Sequence, residues 1–358
     1  MAKALVTGAN GLIGANLVRE LLRDGYEVRA LVRTSSDIRS LEGLDIDLAH
    51  GDVLEPDTLI KAAEGCDIAY HTAAVFTYWG DQAKLERLAV EGTRNVIDAA
   101  HRAGIPRIIV TSSSVVFGSS NRPLIRNEQH SLDDHESAHY IFTKDAQERS
   151  AFEYADRVGI ELLAVCPTMS VGPHGYRLGP SNGSIVAYLA DSLRATFPGG
   201  CNVVSVKDVA RGHIIVGEKG NAGERYCLGS ENLEWSEIHR IVSNLCGLPE
   251  PYWKANHTIS YLAASAYELS AKLTHKSPLT TRTQARMVGR YYWYEHKKAA
   301  ALGYDPRPAR VALAEAVSWL SSSQHISRQV RTTLRLSREV YQARKTLEIE
   351  EMRIGERR

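Results

Sequence analysis

The chain has 358 residues, 44% apolar and 24% charged, which is typical of a soluble globular protein with one large domain or two moderate ones. Its 43 basic and 42 acidic residues give a net charge of +1, so no overall field attracts nucleic acid or an anionic membrane. Five widely spaced cysteines match no metal-ligand pattern and suggest reduced thiols. A strand-like run begins at Lys3, and no apolar stretch reaches the ~18 residues of a membrane span. We therefore expect a cytoplasmic protein without a nucleic-acid partner or an integral membrane segment.

The first half of the chain alternates short β-branched runs with amphipathic helical stretches. Strands are predicted over 4–6, 27–33, 67–71 and 107–112, and helices over 12–23, 56–63 and 85–103. Such alternation indicates βαβ units, and therefore a parallel sheet with helices on both faces. The predicted fold class is α/β, a Rossmann-type doubly wound parallel sheet with a smaller mixed C-terminal lobe.

A helix over 140–158 and a strand over 161–166 complete a nucleotide-binding domain that we place at residues 1–168. Short strands at 202–206 and 224–229 are predicted to return to its sheet, so elements near 202–230 belong with it. Residues 169–198 are rich in Gly, Pro and Ser, which indicates loops around a pocket, and a substrate lobe is assigned to 169–322. Residues 323–358 form a basic helical tail. We expect this tail to be solvated, with a partner-subunit or anionic-surface contact as alternatives.

A glycine-rich turn follows the first strand and opens the first helix. In the sequence TGANGLIG at 7–14, Gly8 permits the tight turn, Gly11 lets the backbone approach a pyrophosphate, and Gly14 lets the helix pack on the strand. The free N–H groups of the helix N-terminus then face the phosphates. The turn predicts dinucleotide binding by Gly8, Asn10, Gly11, Leu12, Ile13 and Gly14.

The end of the second strand bears on which dinucleotide binds. NAD-binding units usually carry a carboxylate there, but this strand ends in Leu31-Val32-Arg33-Thr34-Ser35. Arg33 is suited to a bidentate pair with a 2′-phosphate, which favours NADP over NAD. Alternatively, Arg33 stacks on adenine, which either cofactor allows. Asp52, in the turn after the third strand-like segment, is predicted to accept from the adenine amino group, unless it only caps a helix.

Two helical residues and a serine form a candidate catalytic set. Tyr140 and Lys144 are spaced i,i+4, so both side chains lie on one helix face, although this pattern also arises by chance. An ammonium and an oxidised nicotinamide nearby both favour phenolate, which makes the phenol a useful acid or base. Ser113 ends a strand at the carboxyl edge of the sheet, where ligands of open α/β sheets bind. Its hydroxyl is suited to hold a substrate oxygen.

These motifs together resemble the extended short-chain dehydrogenase/reductases of the NAD-dependent epimerase/dehydratase group. The resemblance spans nearly all of residues 3–320, within which the chain is most similar to dihydroflavonol-reductase-like ketone reductases and hopanoid-associated sugar epimerase-like proteins. It implies that Tyr140 is the acid/base, that Lys144 is its electrostatic partner, and that Ser113 binds the carbonyl. Relatives commonly pair through two helices of the nucleotide domain, so the resemblance implies a homodimer as the candidate assembly. The matching motifs are GDV at 51–53, HTAA at 71–74, EGTRNV at 91–96, TSSS at 111–114, YIFTK at 140–144, CPTMSVGP at 166–173, KDVA at 207–210 and KKAAALGYDPRP at 297–308, and they add Val53, Ala73, Ala74, Thr111 and Pro167 to the predicted cofactor contacts.

Two positions depart from the family pattern. Ala89 replaces the asparagine usual before the EGT element, which predicts looser support of the active site. Cys166 replaces the arginine usual before the proline, which weakens the case for a sugar-nucleotide substrate. We expect an NAD(P)H-dependent reductase of a ketone or aldehyde on a small organic substrate. The alternatives are a sugar-nucleotide epimerase or dehydratase with bound NAD and a catalytically idle dinucleotide sensor.

The substrate pocket is predicted only in outline. His135, Glu136 and His139 match the HExxH zinc pattern, but it ends at a helix start without an evident third ligand, so no metal is expected. His139 is instead a candidate substrate contact. His174, Tyr176 and Arg177 are further candidates in the glycine- and proline-rich region, each more often structural than functional. For a diphosphate, only Arg177 and Arg194 are obvious basic groups there.

Overall fold

The computed structural model describes residues 1–74, 79–132, 138–274, 278 and 280–355. In chain order the strands are β1 (Lys3–Thr7), β2 (Glu27–Val32), β3 (Asp47–His50), β4 (Ile68–His71), β5 (Arg107–Thr111), β6 (Ile125–Arg126), β7 (Glu161–Pro167), β8 (Met169–Val171), β9 (Ala195–Thr196), β10 (Gly200–Ser205), β11 (Arg225–Leu228), β12 (Glu231–Glu234), β13 (Trp253–Lys254) and β14 (Tyr291–Tyr294). The helices are α1 (Leu12–Arg23), α2 (Pro56–Ala63), α3 (Gln82–Arg102), α4 (His139–Val158), α5 (Pro180–Ala190), α6 (Val206–Lys219), α7 (Trp235–Cys246), α8 (His257–Thr274), α9 (Arg282–Arg286), α10 (Lys297–Ala300), α11 (Ala309–Ser322), α12 (Arg328–Thr333) and α13 (Arg338–Gly355). A short 3-10 helix covers Ser114–Phe117.

Seven strands form the main sheet, in the order β11-β7-β5-β4-β1-β2-β3, and every pairing in it is parallel. The strands β1, β5 and β7 are almost entirely buried because helices cover both faces of the sheet. Helices α1 and α6 pack together, as do α3 and α4. The predicted doubly wound α/β fold is confirmed, and strand order reverses between β1 and β4, where open sheets bind ligands.

A second, mixed sheet has the strand order β12-β10-β14-β6, and β8 also pairs with β10. Strand β11 returns to the main sheet beside β7, as predicted for 224–229. The prediction for 202–206 is wrong, because β10 is the centre of this second sheet. A short strand that is buried on both faces has the same pattern in either sheet, so the local pattern does not determine which one it joins.

The C-terminal tail packs on the same chain instead of standing free in solvent. Helix α13 lies against α11 and α1 and buries Val340 and Ile354. Its acidic end makes ion pairs, with the Arg19 Nε atom 2.6 Å from a Glu351 carboxylate oxygen and the Lys207 ammonium nitrogen 2.6 Å from Glu350. The net charge of the tail does not predict these ion pairs, because they depend on the positions of individual acidic residues along α13. Among the described residues, no helix combines the length and apolar character needed to cross a membrane.

Candidate active site

The candidate site lies where the three central strands β1, β4 and β5 end side by side. The last residues of these strands are Thr7, His71 and Thr111. The Thr7 hydroxyl is 2.8 Å from His71 Nδ1, and this hydrogen bond ties the ends of β1 and β4 together. This bond fixes the carboxyl edge of the sheet where the glycine turn follows β1. The serine run lies at the same edge, where β5 ends.

Two glycines of the turn occupy positions that no other residue fits without rearrangement. Gly8 has φ +66°, and a Cβ there would lie 2.6 Å from the Ala73 Cα atom. A Cβ on Gly14 would lie 2.3 Å from the Gly8 carbonyl oxygen. Real Cβ atoms essentially never come this close, so the tight turn and the close packing of α1 on β1 both require glycine.

Gly11 has a different environment, which fits a phosphate group. It is exposed, it is the N-cap of α1, and it offers the helix no side-chain capping bond. Within 4 Å of a Cβ on Gly11 there would be only the Gly8 carbonyl oxygen, at 3.2 Å. The space beside Gly11 at the start of α1 is therefore open, and a helix N-terminus without a side-chain cap suits the pyrophosphate of a dinucleotide. Leu12 and Ile13 follow, both partly buried.

Asn10, Arg33 and Asp52 surround the region predicted to hold the adenosine. The Asn10 amide nitrogen donates to the Asp37 carbonyl oxygen at 3.1 Å, which fixes the outer side of the turn. Arg33 is exposed immediately after β2, and its side chain has no partner among the described residues. One carboxylate oxygen of Asp52 accepts from the Leu54 N–H at 3.0 Å, a bond within the turn, whereas the N-cap of α2 is Glu55. A contact between Asp52 and adenine stays a prediction.

Arg39 is a cation near this region that the sequence analysis missed. Its guanidinium pairs with the Asp37 carboxylate at 2.5 Å and lies 4.8 Å from the centre of the Tyr176 ring. This pair lowers the pKa of Asp37 to about 2. No local pattern in the sequence indicated Arg39, because the loop that joins it to Arg33 has no regular hydrophobic period.

Ser113 and Tyr140 lie together, as their predicted roles require. Ser113 is the N-cap of the 3-10 helix and is buried, and Tyr140 lies in the first turn of α4. Burial raises the pKa of Tyr140 to about 12, and a side-chain hydrogen bond with Ser113 lowers it. The phenol is therefore protonated at neutral pH, the state that a proton donor needs.

Lys144 lies one turn further along α4 and is buried. Its ammonium nitrogen donates to the Thr111 carbonyl oxygen at 3.0 Å and to the Gln147 side-chain oxygen at 2.7 Å. Burial lowers the pKa of Lys144 to about 8, while Cys166 and Glu148 raise it. Two of the three ammonium hydrogens are thus used in hydrogen bonds, which leaves the third for a ribose hydroxyl.

A buried chain of hydrogen bonds supports Lys144 from behind. The Gln147 amide nitrogen donates to the Thr93 hydroxyl at 2.7 Å, and this hydroxyl is 3.0 Å from His71 Nε2. Burial lowers the pKa of His71 to about 3, so its ring is neutral and serves as a hydrogen-bonding link. The chain joins the end of β1 to the candidate catalytic lysine. Sequence reasoning missed Gln147, although its i,i+3 spacing from Lys144 was visible.

Four other predicted cofactor contacts lie along the same edge. Val53 accepts from the Asn95 side chain through its carbonyl oxygen at 2.9 Å, and Ala73 lies against Gly8. Ala74 is exposed and Pro167 ends β7. Their contact with a cofactor stays a prediction.

Two of the four predicted substrate contacts, His174 and Tyr176, are already engaged with other parts of the chain. His174 is buried, with Nε2 3.4 Å from a Glu351 carboxylate oxygen, and its ring centre lies 5.1 Å from that of Trp319. Tyr176 also packs on Trp319, at 5.1 Å. His139 lies 3.6 Å from a Glu86 carboxylate oxygen, whereas Arg177 is exposed. His135 and Glu136 of the HExxH pattern lie outside the described residues.

The structure shows the surroundings of both positions that depart from the family pattern. The Ala89 carbonyl oxygen accepts from Thr93 at 2.7 Å, so its backbone contributes to the support of Lys144. Cys166 is fully buried, with its Sγ atom 3.5 Å from a Glu148 carboxylate oxygen. Arg225, on the adjacent strand β11, pairs with the same carboxylate at 3.0 Å. Position 166 thus contacts α4, and the inference from Cys166 against a sugar-nucleotide substrate loses its basis.

Comparison with known proteins agrees with this geometry. A model of the NAD dependent epimerase/dehydratase family matches residues 4–229. The chain is 33% identical over 331 residues to "Putative dihydroflavonol 4-reductase" of Synechocystis sp., covering 90% of this chain and 96% of that one. It is 32% identical to sterol demethylase protein B of Methylococcus capsulatus, covering 88% and 97%. Identity to cinnamoyl-CoA reductase 1 of Oryza sativa is 30%, covering 90% and 91%.

A solved structure extends the similarity to three dimensions. The crystal structure of gox2253 superposes with a TM-score of 0.80 at 32% identity, covering 91% of this chain and 100% of that one. The agreement therefore extends through both sheets and is not limited to the glycine turn.

Proposed function

Because the chain belongs to the NAD dependent epimerase/dehydratase family, we propose that it reduces a ketone or aldehyde carbonyl on a small organic molecule. The observation that carries the proposal is the meeting of Ser113 and Tyr140 at the carboxyl edge of the sheet, with Lys144 one turn away. Similarity over most of the chain to proteins named as dihydroflavonol 4-reductase and cinnamoyl-CoA reductase supports the same direction of chemistry.

The residues of the site suit carbonyl reduction. A nicotinamide dinucleotide, when bound, supplies the hydride. The Ser113 hydroxyl is suited to donate to the carbonyl oxygen, and the protonated phenol of Tyr140 to give that oxygen its proton. Lys144 then stabilises the phenolate that forms, since its ammonium is held in place by Thr111 and Gln147.

We propose NADP as the preferred cofactor, and Arg33→Asp tests this preference. The substitution removes a charge-assisted pair worth about 2 kcal/mol and places a carboxylate beside the 2′-phosphate. We expect the Kd for NADPH to rise about 30-fold or more, while the Kd for NADH changes less than about threefold. Fluorescence titration measures both constants. Arg328→Asp, an exposed charge reversal on α12, is the matched control, and an unaltered NADPH constant in Arg33→Asp would remove Arg33 from the site.

The second candidate function is a sugar-nucleotide epimerase or dehydratase, which retains NAD through each catalytic cycle. One observation bears against it: Arg194 donates to the Tyr188 and Leu189 carbonyl oxygens at 2.9 and 3.2 Å and is thus occupied by the end of the preceding helix, α5. Denaturing the purified protein and identifying the released nucleotide separates the two functions. We expect an empty site with saturable NADPH binding, whereas stoichiometric retained NAD would favour the epimerase.

We further propose a cytoplasmic location and a homodimer. All five cysteines are free and buried, which supports a reducing compartment. Helices α3 and α4 pack side by side and carry exposed Arg87 and Arg149, so they offer a surface for pairing. Light scattering of the purified protein gives the oligomeric state.

A further inference from the structure

Helix α8 (His257–Thr274) exposes its large apolar side chains and buries small ones. Leu262, Leu269 and Leu273 are 64%, 61% and 76% exposed, and Ile259 is 41% exposed. At 3.6 residues per turn, these four side chains fall within about 80° of one another around the helix axis. The opposite face, which packs on the protein, carries the buried Ala264, Glu268 and Ala271. This arrangement is the reverse of an ordinary surface helix.

The segments before α8 extend the apolar surface. Strand β13 pairs with β9 in parallel, with Trp253 opposite Ala195, and Ala255 N–H donates to the Thr196 carbonyl oxygen at 2.7 Å. Tyr252 is 74% exposed and Leu193, two residues before β9, is 58% exposed. Tyrosine and tryptophan rings with one polar edge are enriched where proteins meet the headgroups of a bilayer.

The charge around this surface is mainly basic, although the exposed Glu250 stands two residues before Tyr252 and Asp191 two residues before Leu193. The exposed charged side chains in the described part of 251–286 are Lys254, Lys272, Arg282 and Arg286, all of which are basic. The acidic residue of that part, Glu268, is buried and pairs with Arg282 at 2.7 Å. Four basic residues and one acidic residue give a local charge of +3, although the whole chain carries +1. Two like-charged copies of this surface would repel each other, whereas an anionic surface would be attracted.

We propose that α8 and the β9–β13 edge bind the surface of an anionic phospholipid bilayer, with the helix lying in the plane of the headgroups. The four exposed aliphatic side chains would enter the acyl boundary, and the lysines and arginines would contact lipid phosphates. The chain is then a peripheral membrane protein. This proposal is independent of the proposed carbonyl reduction, because none of its residues belongs to the candidate active site.

Vesicle sedimentation of the full chain tests the proposal. We expect binding to vesicles of phosphatidylcholine and phosphatidylglycerol to be at least about tenfold stronger than to pure phosphatidylcholine, and to weaken at high salt. The double variant Leu262→Glu/Leu269→Glu should bind about 100-fold more weakly, because it removes two leucines from the acyl boundary. Lys254→Gln/Lys272→Gln should lose about 20-fold on the anionic vesicles only.

The matched control is Leu124→Glu/Val311→Glu, which changes two exposed apolar residues outside this surface and should bind like the wild type. Thermal unfolding and NADPH binding are measured on every variant, so that misfolding is recognised. Loss of vesicle binding with NADPH binding retained supports the proposal. Any of three outcomes overturns the proposal. The wild type does not bind anionic vesicles, or the leucine double variant binds them as strongly as the wild type does. The third outcome is that the wild type is a dimer that the leucine double variant dissociates, and that neither protein binds vesicles.

Discussion

Replacement of Tyr140 by phenylalanine is expected to lower kcat/KM for carbonyl reduction by about 1,000-fold, within the range for loss of a general acid. The side chain keeps its ring and its place at the start of α4, so only the proton donor is lost. The affinity for NADPH should stay within about threefold, because the Lys144 ammonium and the glycine turn are untouched. NADPH oxidation with a ketone or aldehyde that the wild type reduces gives the rate, and fluorescence titration gives the affinity.

The same helix provides the control for this experiment. The Tyr154 phenol donates to the Asp98 carboxylate at 3.2 Å and makes a bond between α4 and α3. Tyr154→Phe therefore removes an equivalent hydroxyl with no part in the proposed reaction, and turnover should stay within about twofold. Full turnover by Tyr140→Phe would remove Tyr140 from its role. An equal loss of turnover in both variants would indicate that the removal of either hydroxyl disturbs the structure.

Acidification is expected to unfold the protein steeply between about pH 6 and pH 4. Burial lowers the pKa of His71 and of His239 to about 3, and that of His213 to about 4. In the unfolded chain a histidine titrates near 6.5. As pH falls below about 6.5, the unfolded state takes up protons that the folded state cannot, so the stability present above that pH is lost. Each histidine contributes a slope of about 1.4 kcal/mol per pH unit, or about 4 kcal/mol for the three.

Urea unfolding at a series of pH values measures this slope, and His239→Gln isolates one contribution. His239 lies on α7, with Nδ1 2.9 Å from the Thr196 hydroxyl, away from the candidate catalytic residues. The glutamine can keep that bond but cannot titrate, so the slope should fall by about 1.4 kcal/mol per pH unit, the share of one histidine. His101→Gln, at an exposed position of α3, should leave the slope unchanged. A slope that is the same in all three proteins would contradict the assignment.

The local pattern of the sequence predicted the nucleotide-binding half closely. The helix predicted over 12–23 has the same bounds in the structure, as does the one over 56–63, because each is preceded by a turn and buries one apolar face. The order of glycine turn, serine run and Tyr/Lys pair was enough to place Ser113 beside Tyr140. Parallel strands bring their carboxyl ends to one edge, so local motifs determine a shared location there.

Features that depend on distant contacts were not predicted. The choice of sheet for β10 depends on β8, β12 and β14, which its own sequence does not specify. Cys166 was taken to weaken the case for a sugar-nucleotide substrate, although its side chain contacts Glu148, because the sequence does not show that Arg225 on β11 pairs with the same carboxylate. The exposed leucines of α8 fit a helical period and would ordinarily be placed in the core. Periodicity finds an apolar face but does not say what covers it.

The bond between Arg19 and Glu351 has a consequence for how the protein is made. These residues are 332 positions apart, and Arg19 is almost completely buried on the helix that follows the glycine turn. During synthesis the ribosome adds residues at about 5–20 per second, so Arg19 waits tens of seconds for its carboxylate. The nucleotide-binding half, although first to emerge, leaves Arg19 and the α13-facing side of α1 uncovered until α13 arrives. Nascent chains halted before that helix should therefore stay vulnerable to proteases.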